Sequence, residues 1–577
     1  QQIIDQGLVY QVTGDIRHAH RAGEILMAYA RRYLDYPLHD NQGKPGRGGR
    51  VASQSLTEAS WLIEMAQGAD LVWATLTETE RQTIAEKVFR PALEQVILPH
   101  PLGIHNIQCR HNSAIGLVGF LLGDRQLIAK AIDDPRIGFR QQIEKGVLAD
   151  GMWCEGASGY HFFTIGGLWQ LAEAARNCGI DLYSPKFQSM FDGPLALAMP
   201  DFVLPNFNDS GTVPLQNQDE YYDLAYARFH NPAYLPLLAG TERHSRLALL
   251  YGVPQLPSAN SAVASTSHNS TASGYAILQR GQGKAATWLC LKYGPHGGGH
   301  GHPDKNTFVL YARGQILAPD AGTHAYGSPL HRDWDKTTLA HNTLVVDGES
   351  QAPATGKCLA FGSVQDVDYC ITEAGPIYKG VTFTRTAALL TSNLLVFVDQ
   401  VRADAPHTFD LTYHQIGQWE KPASSGSAFA MSAPGYNHLS QSSLRSLGDD
   451  GLTLKTKLGS DCSPAIILAG NSSSEIISGY GILKTTEDLV PVLIQRQRAQ
   501  QSTFVWAVAL DGAPVTLRTA PVNDASDKAL PSAEAVRVEV ATPARNWAFL
   551  VNPQGKSVSA PLANGAFWRS EAPFVLR

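Results

Sequence analysis

An N-terminal α/α toroid or related helical array followed by antiparallel β-sandwich domains is the fold this sequence predicts. Three observations carry that expectation. Over roughly the first 250 residues, apolar positions recur at helical spacing in segments joined by short loops. Beyond a small, polar stretch at 257–273 the period changes to two. The strands that follow have no helices between them, which argues sandwich rather than parallel α/β sheet. With 577 residues the chain is too long for one core. We therefore expect a helical domain over 1–256, a linker or surface loop over 257–273, and a β region over 274–577, long enough for two stacked sheets and a small C-terminal subdomain.

In chain order, His20 to Leu34, Ser53 to Ala74 and Thr77 to Ile97 read as helices, the last opened by acidic residues that suit a helix N-terminus. Ile107 to Leu122 is apolar nearly all round and reads as a buried helix. Arg125 to Leu148 is amphipathic, and Phe162 to Cys178 and Pro185 to Met199 follow. Buried and amphipathic helices in alternation suggest an inner and an outer layer. In the second half Tyr275–Gln279, Thr287–Tyr293, Thr343–Val346, Thr384–Leu390, Leu394–Val401, Phe409–His414, Leu452–Lys457, Phe504–Ala509, Ala535–Ala541 and Trp547–Val551 read as strands. Thr307 to Leu317 reads as a hairpin turning at Arg313-Gly314.

Net charge is −6, which argues against a nucleic-acid binder that relies on overall charge. A local basic cleft for an anionic ligand is compatible with it. No apolar run reaches the ~18 residues of a transmembrane helix, so no membrane span is expected. The seven cysteines lack any CxxC spacing and read as buried thiols. The first residue is not Met, which fits either a removed signal peptide or a trimmed chain.

The chemistry-bearing residues cluster in Tyr293 to Gln351, which holds His296, His300, His302, His324, His331 and His341. The glycines of His296-Gly-Gly-Gly-His300-Gly-His302 let imidazoles crowd together. His302, Asp320 and His341 each adjoin a strand end, so a sheet can bring them to one point. Two imidazoles and a carboxylate form a zinc-type donor set with room for a further ligand; iron, nickel and manganese accept similar sets. In the helical half, His105-Asn106 opens the apolar helix, and Arg110, His111 and Asn112 continue polar into it. Such groups need partners when buried. A second cluster, Asp150 to His161, places Tyr160 and His161 among glycines before a helix. A third run, Asn206-Phe-Asn-Asp-Ser-Gly211, is turn-rich and positioned to border the same cleft.

Taken together these clusters resemble the heparinase II/III-like superfamily of polysaccharide lyases. The resemblance lies in the order helical half, His300-Gly-His302-Pro-Asp304, Asp320-Ala-Gly322 with Tyr326, then His341-Asn-Thr343, and in Asn106 standing 54 positions before Tyr160. It implies a toroid joined to an antiparallel sandwich and action on uronic-acid-containing glycans. It also implies Tyr160 as catalytic tyrosine, His105 and Asn106 as the pair that neutralises the substrate carboxylate, and His300 as the histidine facing the substrate. His302, Asp320 and His341 become ligands of one divalent, structural metal ion, zinc first and manganese among the alternatives. Tyr326 lines the cleft. The His-Asn order is inverted relative to some relatives, and His111-Asn112 is a competing pair. Arg110, Asn112, His161 and Arg332 are further candidates for contacts to an anionic chain. The expected partner is an anionic polysaccharide, with no nucleic acid or membrane, in a secreted or periplasmic setting.

The residue types suit that chemistry. A lyase removes the C5 proton of a uronate and expels the 4-linked sugar. Neutral donors beside the carboxylate disperse the charge that develops in the transition state, each worth about 3 kcal/mol. A tyrosine, with an ordinary pKa near 10, needs nearby positive charge to act as base. If proton and leaving oxygen share a face, Tyr160 serves as base and then acid; if not, His300 is the base and Tyr160 the acid. Glycosaminoglycans come first as substrates and alginate second. Two other readings stand beside this one: a glycoside hydrolase using a pair from Glu155, Asp150 and Asp209, and a non-catalytic carbohydrate-binding protein.

Overall fold

The apolar helix read from the sequence, Asn106–Leu122, is buried along most of its length and packs against Ser55–Val72, Arg125–Asp133 and Ser158–Asn177. The structure, a computed structural model, describes every residue except 47, 259–265, 421–425, 460–462 and 562–566. Helices run to Tyr251, and strands dominate from His268 onward. Part of the expected linker therefore lies outside the described residues, as does Cys462. Its last part is not linker at all: His268–Ser270 pairs with Tyr275–Arg280 as a strand.

Several boundaries differ from the sequence reading for identifiable reasons. The helix read over Arg125 to Leu148 is two, Arg125–Asp133 and Phe139–Gly146. Asp134 breaks it by accepting from the Arg136 and Ile137 amides at 2.9 and 3.2 Å, and Pro135 lacks the amide a continuing helix needs. The helix read from Phe162 starts at Ser158, so Tyr160 rides on its first turn rather than on the preceding loop. Gln2–Thr13 and Asp219–Phe229 are helices the sequence reading passed over. Thr77 and Glu80 form a reciprocal capping box at the start of the helix read there.

The β half is layered. His268–Ser270, Tyr275–Arg280, Thr287–Lys292, Thr307–Ala312 and Gln315–Ala318 form an antiparallel meander. Its hairpin turns at Arg313 and Gly314, with φ of 55° and 77° as a type I′ turn requires. One face, with Ile277, Trp288, Val309 and Tyr311, packs into the toroid core. The other, with Leu278, Leu289, Phe308 and Leu310, packs on a twelve-stranded antiparallel sheet. The far face of that sheet carries a small C-terminal sheet through Val396, Val505, Phe549 and Phe574. Leu394–Val401 and Phe409–His414 are parts of one strand, Leu394–His414. A register shift between Arg402 and His407 and exposed residues there break the alternation that would have revealed its continuity.

Among the described residues no helix is long and apolar enough to cross a membrane. The described cysteines are free; Cys109, Cys290 and Cys370 are buried as expected, whereas Cys178 is exposed.

A buried ion pair ties the large sheet to the histidine segment. Arg385 donates to Asp399 at 2.6 and 3.2 Å and to the carbonyls of Asn306 and Asn342, both at 2.6 Å. Trp506 Nε1 donates to the same aspartate at 2.8 Å. Removing the cation leaves Asp399 buried with its charge uncompensated. Arg385→Met is expected to cost about 3–5 kcal/mol in denaturant unfolding. The double change Arg385→Met with Asp399→Leu should recover part of that loss. A single-variant cost under about 1 kcal/mol would remove the pair from the stability account.

Candidate active site

The site forms where a loop of the helical half crosses onto the histidine segment. Asn206 Nδ2 donates to the Asp320 carbonyl at 2.9 Å. Asn208 is fully buried with φ of 63°, a conformation asparagine tolerates better than most residues. Its Oδ1 accepts from the His302 amide at 3.1 Å and from Lys292 Nζ, and its Nδ2 donates to the Gly156 carbonyl at 2.7 Å. The Asp209 amide donates to the His300 carbonyl at 3.0 Å, and Ser210 Oγ accepts from the Gly159 amide at 3.0 Å. One short loop thus holds both the start of the Tyr160 helix and the HGH turn. Gly297 and Gly301 are required there: a Cβ at Gly297 would lie 2.7 Å from the Glu155 carbonyl oxygen, and one at Gly301 2.0 Å from that of His296.

Tyr160, Tyr326 and His300 meet at this crossing. The phenol oxygens of Tyr160 and Tyr326 are 2.7 Å apart, and Tyr326 lies 3.2 Å from His300 Nδ1 and 3.2 Å from Asp209 Oδ2. The Tyr160 ring stacks on His300 with centroids 3.6 Å apart. Asp209 is the hub beneath them, 3.1 Å from His300 Nδ1, 2.9 Å from His302 Nε2 and 2.9 Å from Lys336 Nζ. Burial alone would raise its pKa. The hydrogen bonds from His300, His302 and Lys336 outweigh burial and hold the carboxyl well below the usual range.

His302, Asp320 and His341 are wholly buried, and their ligand atoms all lie within 4.8 Å of one another. His302 Nδ1 has no hydrogen-bond partner, while its Nε2 is engaged by Asp209. Burial keeps this imidazole neutral, pushing its pKa down to about 4. His341 Nε2 is held by the Asp335 carbonyl at 3.0 Å, which leaves Nδ1 2.9 Å from Asp320 Oδ2. Each histidine thus has one nitrogen fixed by a protein partner; the other is unpartnered in His302 and faces Asp320 in His341. A first-row divalent cation suits this donor set, and the fixed outer nitrogens are what such ligands ordinarily need.

On the helical side, Asn106 Nδ2 donates to Glu155 Oε2 at 2.6 Å, and Trp153 Nε1 donates to the same oxygen at 2.9 Å. His105 caps the helix, its Nδ1 accepting from the Ile107 amide at 3.2 Å, and keeps 36% of its side chain exposed. Asn106 is 1% exposed, so the ring of His105 is the accessible member of the pair.

Residues 1–205 match the family model for alginate lyase, and residues 263–475 match that for the heparinase II/III-like C-terminal region. The chain belongs to the heparinase II/III-like superfamily. Over 502 residues it is 30% identical to an alginate lyase of Stenotrophomonas maltophilia, covering 76% of this chain and 66% of that protein. It is 27% identical to an exo-oligoalginate lyase of Saccharophagus degradans, covering 72% and 62%. The chain thus spans just under two thirds of the length of these relatives. The crystal structure of a heparan sulfate lyase from Pedobacter heparinus superposes with a TM-score of 0.66 at 16% identity, covering 95% of this chain and 81% of that one, which supports the same fold.

Other candidates from the superfamily resemblance are placed elsewhere. Asn112 spans the helix interior, accepting from Gln108 Nε2 at 2.8 Å and donating to the Ile137 carbonyl at 2.6 Å. His161 is 1% exposed, bound by the Trp153 amide and the Met190 carbonyl. Both are interior struts rather than substrate contacts. Arg332 points into solvent and forks onto Asp333 at 2.7 and 3.1 Å, so it makes no contact with the Tyr160 group. Arg110 lies one helical turn below Asn106, its guanidinium 4.7 Å from the Phe163 ring, with no carboxylate partner among the described residues. His111 is 1% exposed, enclosed beside the Ser55 and His100 backbone, so it is out of reach of a substrate carboxylate. Sequence reasoning placed Asp209 in a turn-rich run bordering the cleft and as a hydrolase carboxylate, not as a partner of His300 and His302, and it passed over Lys336.

Burial pushes both His111 and His161 down to about 4. An unfolded histidine titrates near 6.5, so the unfolded chain takes up these protons first. Their stabilising contribution is complete above about pH 6.5 and is lost as pH falls toward 4, by up to about 3 kcal/mol per residue. Unfolding free energy is expected to drop over that window, and His111→Phe should flatten the slope. An unchanged slope in the variant would contradict a neutral buried His111.

Proposed function

We propose that the protein is a polysaccharide lyase that cleaves 4-linked uronic-acid-containing glycans by β-elimination, leaving a 4,5-unsaturated end. The observation that carries this reading is the Tyr160 hydroxyl, on a helix start, hydrogen-bonded to Tyr326 and stacked on His300. Its relatives named for alginate and for heparin-sulfate lyase activity support it. The alginate-acting relatives match over 76% and 72% of the chain, against 32% and 46% for the heparin-sulfate lyases. That difference puts alginate ahead of glycosaminoglycans as first substrate to assay. The working compartment that fits a polymer substrate is periplasmic or extracellular.

The uronate carboxylate would rest against the accessible His105 ring, with the buried Asn106 behind it holding Glu155. A donor placed there meets charge that grows as C5 loses its proton, so it favours the transition state over the bound substrate. Tyr160, having first given up its own proton to solvent and held as phenolate by a hydrogen bond from the Tyr326 hydroxyl 2.7 Å away, takes the C5 proton and becomes the neutral phenol. Stacked rings lie on one side of the cleft and cannot straddle a sugar. This supports the route in which Tyr160 removes the proton and returns it to the leaving oxygen on the same face. The hydrolase reading needs two carboxylates facing across the cleft. Asp150 is instead bonded to Ser273 at 2.7 and 2.8 Å, Asp209 lies beneath the histidines, and Glu155 holds Asn106.

One divalent cation, zinc by its two imidazoles and carboxylate, belongs in this proposal at His302, Asp320 and His341. Bound there it would fix the HGH turn under the cleft rather than contact substrate. Purified protein should carry one such ion per chain, and chelation should lower the melting temperature because metal binding and folding are linked. A metal-free protein of unchanged melting temperature would contradict this part.

The function is tested by incubating the enzyme with alginate, hyaluronan, chondroitin and heparan sulfate and reading near-ultraviolet absorbance. An absorbing product from at least one polymer is expected, with a rate about 10²–10⁴ lower for Tyr160→Phe at unchanged folding. Reducing sugar without absorbance would indicate hydrolysis. Near-normal turnover in Tyr160→Phe would take the tyrosine out of the mechanism.

A further inference from the structure

Asp209 comes from the helical half, yet its carboxylate meets two histidines of different assignment. Its Oδ2 is 3.1 Å from His300 Nδ1, and its Oδ1 is 2.9 Å from His302 Nε2. The Tyr326 hydroxyl donates to Oδ2 at 3.2 Å, and Lys336 Nζ lies 2.9 Å from Oδ1 and donates to the Gly301 carbonyl at 3.0 Å. The Asp209 side chain is 1% exposed, so water does not substitute for these partners. An ionised carboxylate only accepts hydrogen bonds. Each facing ring nitrogen must therefore carry a proton, and in a neutral imidazole the other nitrogen must then be the lone-pair atom.

We infer that Asp209 is a positioning residue that sets the tautomers of His300 and His302 together, coupling the reaction centre to the cation site. On His300 the proton sits on Nδ1, which frees Nε2 as an acceptor at the cleft. On His302 the proton sits on Nε2, which frees Nδ1, the buried nitrogen that has no protein partner. The same carboxylate thereby prepares one histidine for the substrate side and the other for a cation beside Asp320 and His341. Because the Asp209 amide also donates to the His300 carbonyl at 3.0 Å, main chain and side chain fix the HGH turn from one residue. The catalytic half of this inference rests on the lyase reading; the cation half does not.

Asp209→Asn keeps the shape but replaces one acceptor oxygen with an NH₂ group. That group would face a ring N–H, so one histidine must exchange its tautomer or lose its bond. Zinc affinity measured by chelator competition is expected to fall about 10–100-fold, the usual effect of losing an outer-sphere partner of a ligand histidine. Turnover on the polymer identified by absorbance should fall by a similar factor, with KM little changed. Nitrogen-15 histidine spectra of the native protein should show His300 as the Nδ1–H tautomer and His302 as the Nε2–H tautomer, which requires neither substrate nor variant. Native zinc affinity and turnover in Asp209→Asn would overturn the inference, as would an Nε2–H tautomer for His300 in the native spectrum. Lost zinc affinity in a protein that cleaves no uronate polymer would uphold the cation half and count against the lyase reading alone.

Discussion

The loop Asn206–Gly211, buried from Phe207 to Ser210, is the constraint on which the site depends. A catalytic tyrosine on a helix and a histidine pair on a β turn have no covalent reason to meet. Here the meeting is enforced by polar groups that cannot be left unpaired in the interior. Asn208 satisfies Lys292, the His302 amide and the Gly156 carbonyl at once. Asp209 faces His300, His302 and Lys336. A buried polar network of this kind is costly unless every member is paired, so it specifies one arrangement of the two halves rather than a family of them.

The apolar layers supply the platform. The meander packs on the toroid through Ile277, Trp288 and Tyr311 and on the large sheet through Leu278, Leu289 and Phe308. It therefore places the ends of its strands, where His302 and Asp320 lie, at the boundary between helices and sheet. Arg385 reinforces that boundary from below by holding the Asn306 and Asn342 carbonyls. Positioning passes from core packing to buried ion pair to histidine turn, and the reacting groups sit on the last and most polar of these.

Much of this was legible in the sequence because it is local. Helical spacing marked the Asn106–Leu122 helix, alternation marked the meander strands, and Arg313-Gly314 marked their hairpin. The grouping of His302 with Asp320 and His341 followed from strand ends. What escaped was non-local or locally ambiguous. The pairing of Asn106 with Glu155 joins residues 49 apart, and no local pattern encodes it. Asn112 and His161 are polar residues within apolar stretches, and their patterns could not distinguish a strut from a substrate contact; only the Ile137 and Met190 carbonyls decide that. The long strand Leu394–His414 was split in the reading because its register shift carries exposed residues in mid-strand.

The most direct measurement of the central claim is a crystal structure of the Tyr160→Phe variant with zinc and an oligouronate bound. The account expects the sugar at the junction of helices and histidine turn, its carboxylate against His105 and its C5 facing position 160. It also expects the metal at His302, Asp320 and His341, out of contact with the sugar. An oligouronate seated away from Tyr160, or a metal ligated directly by the substrate carboxylate, would contradict it.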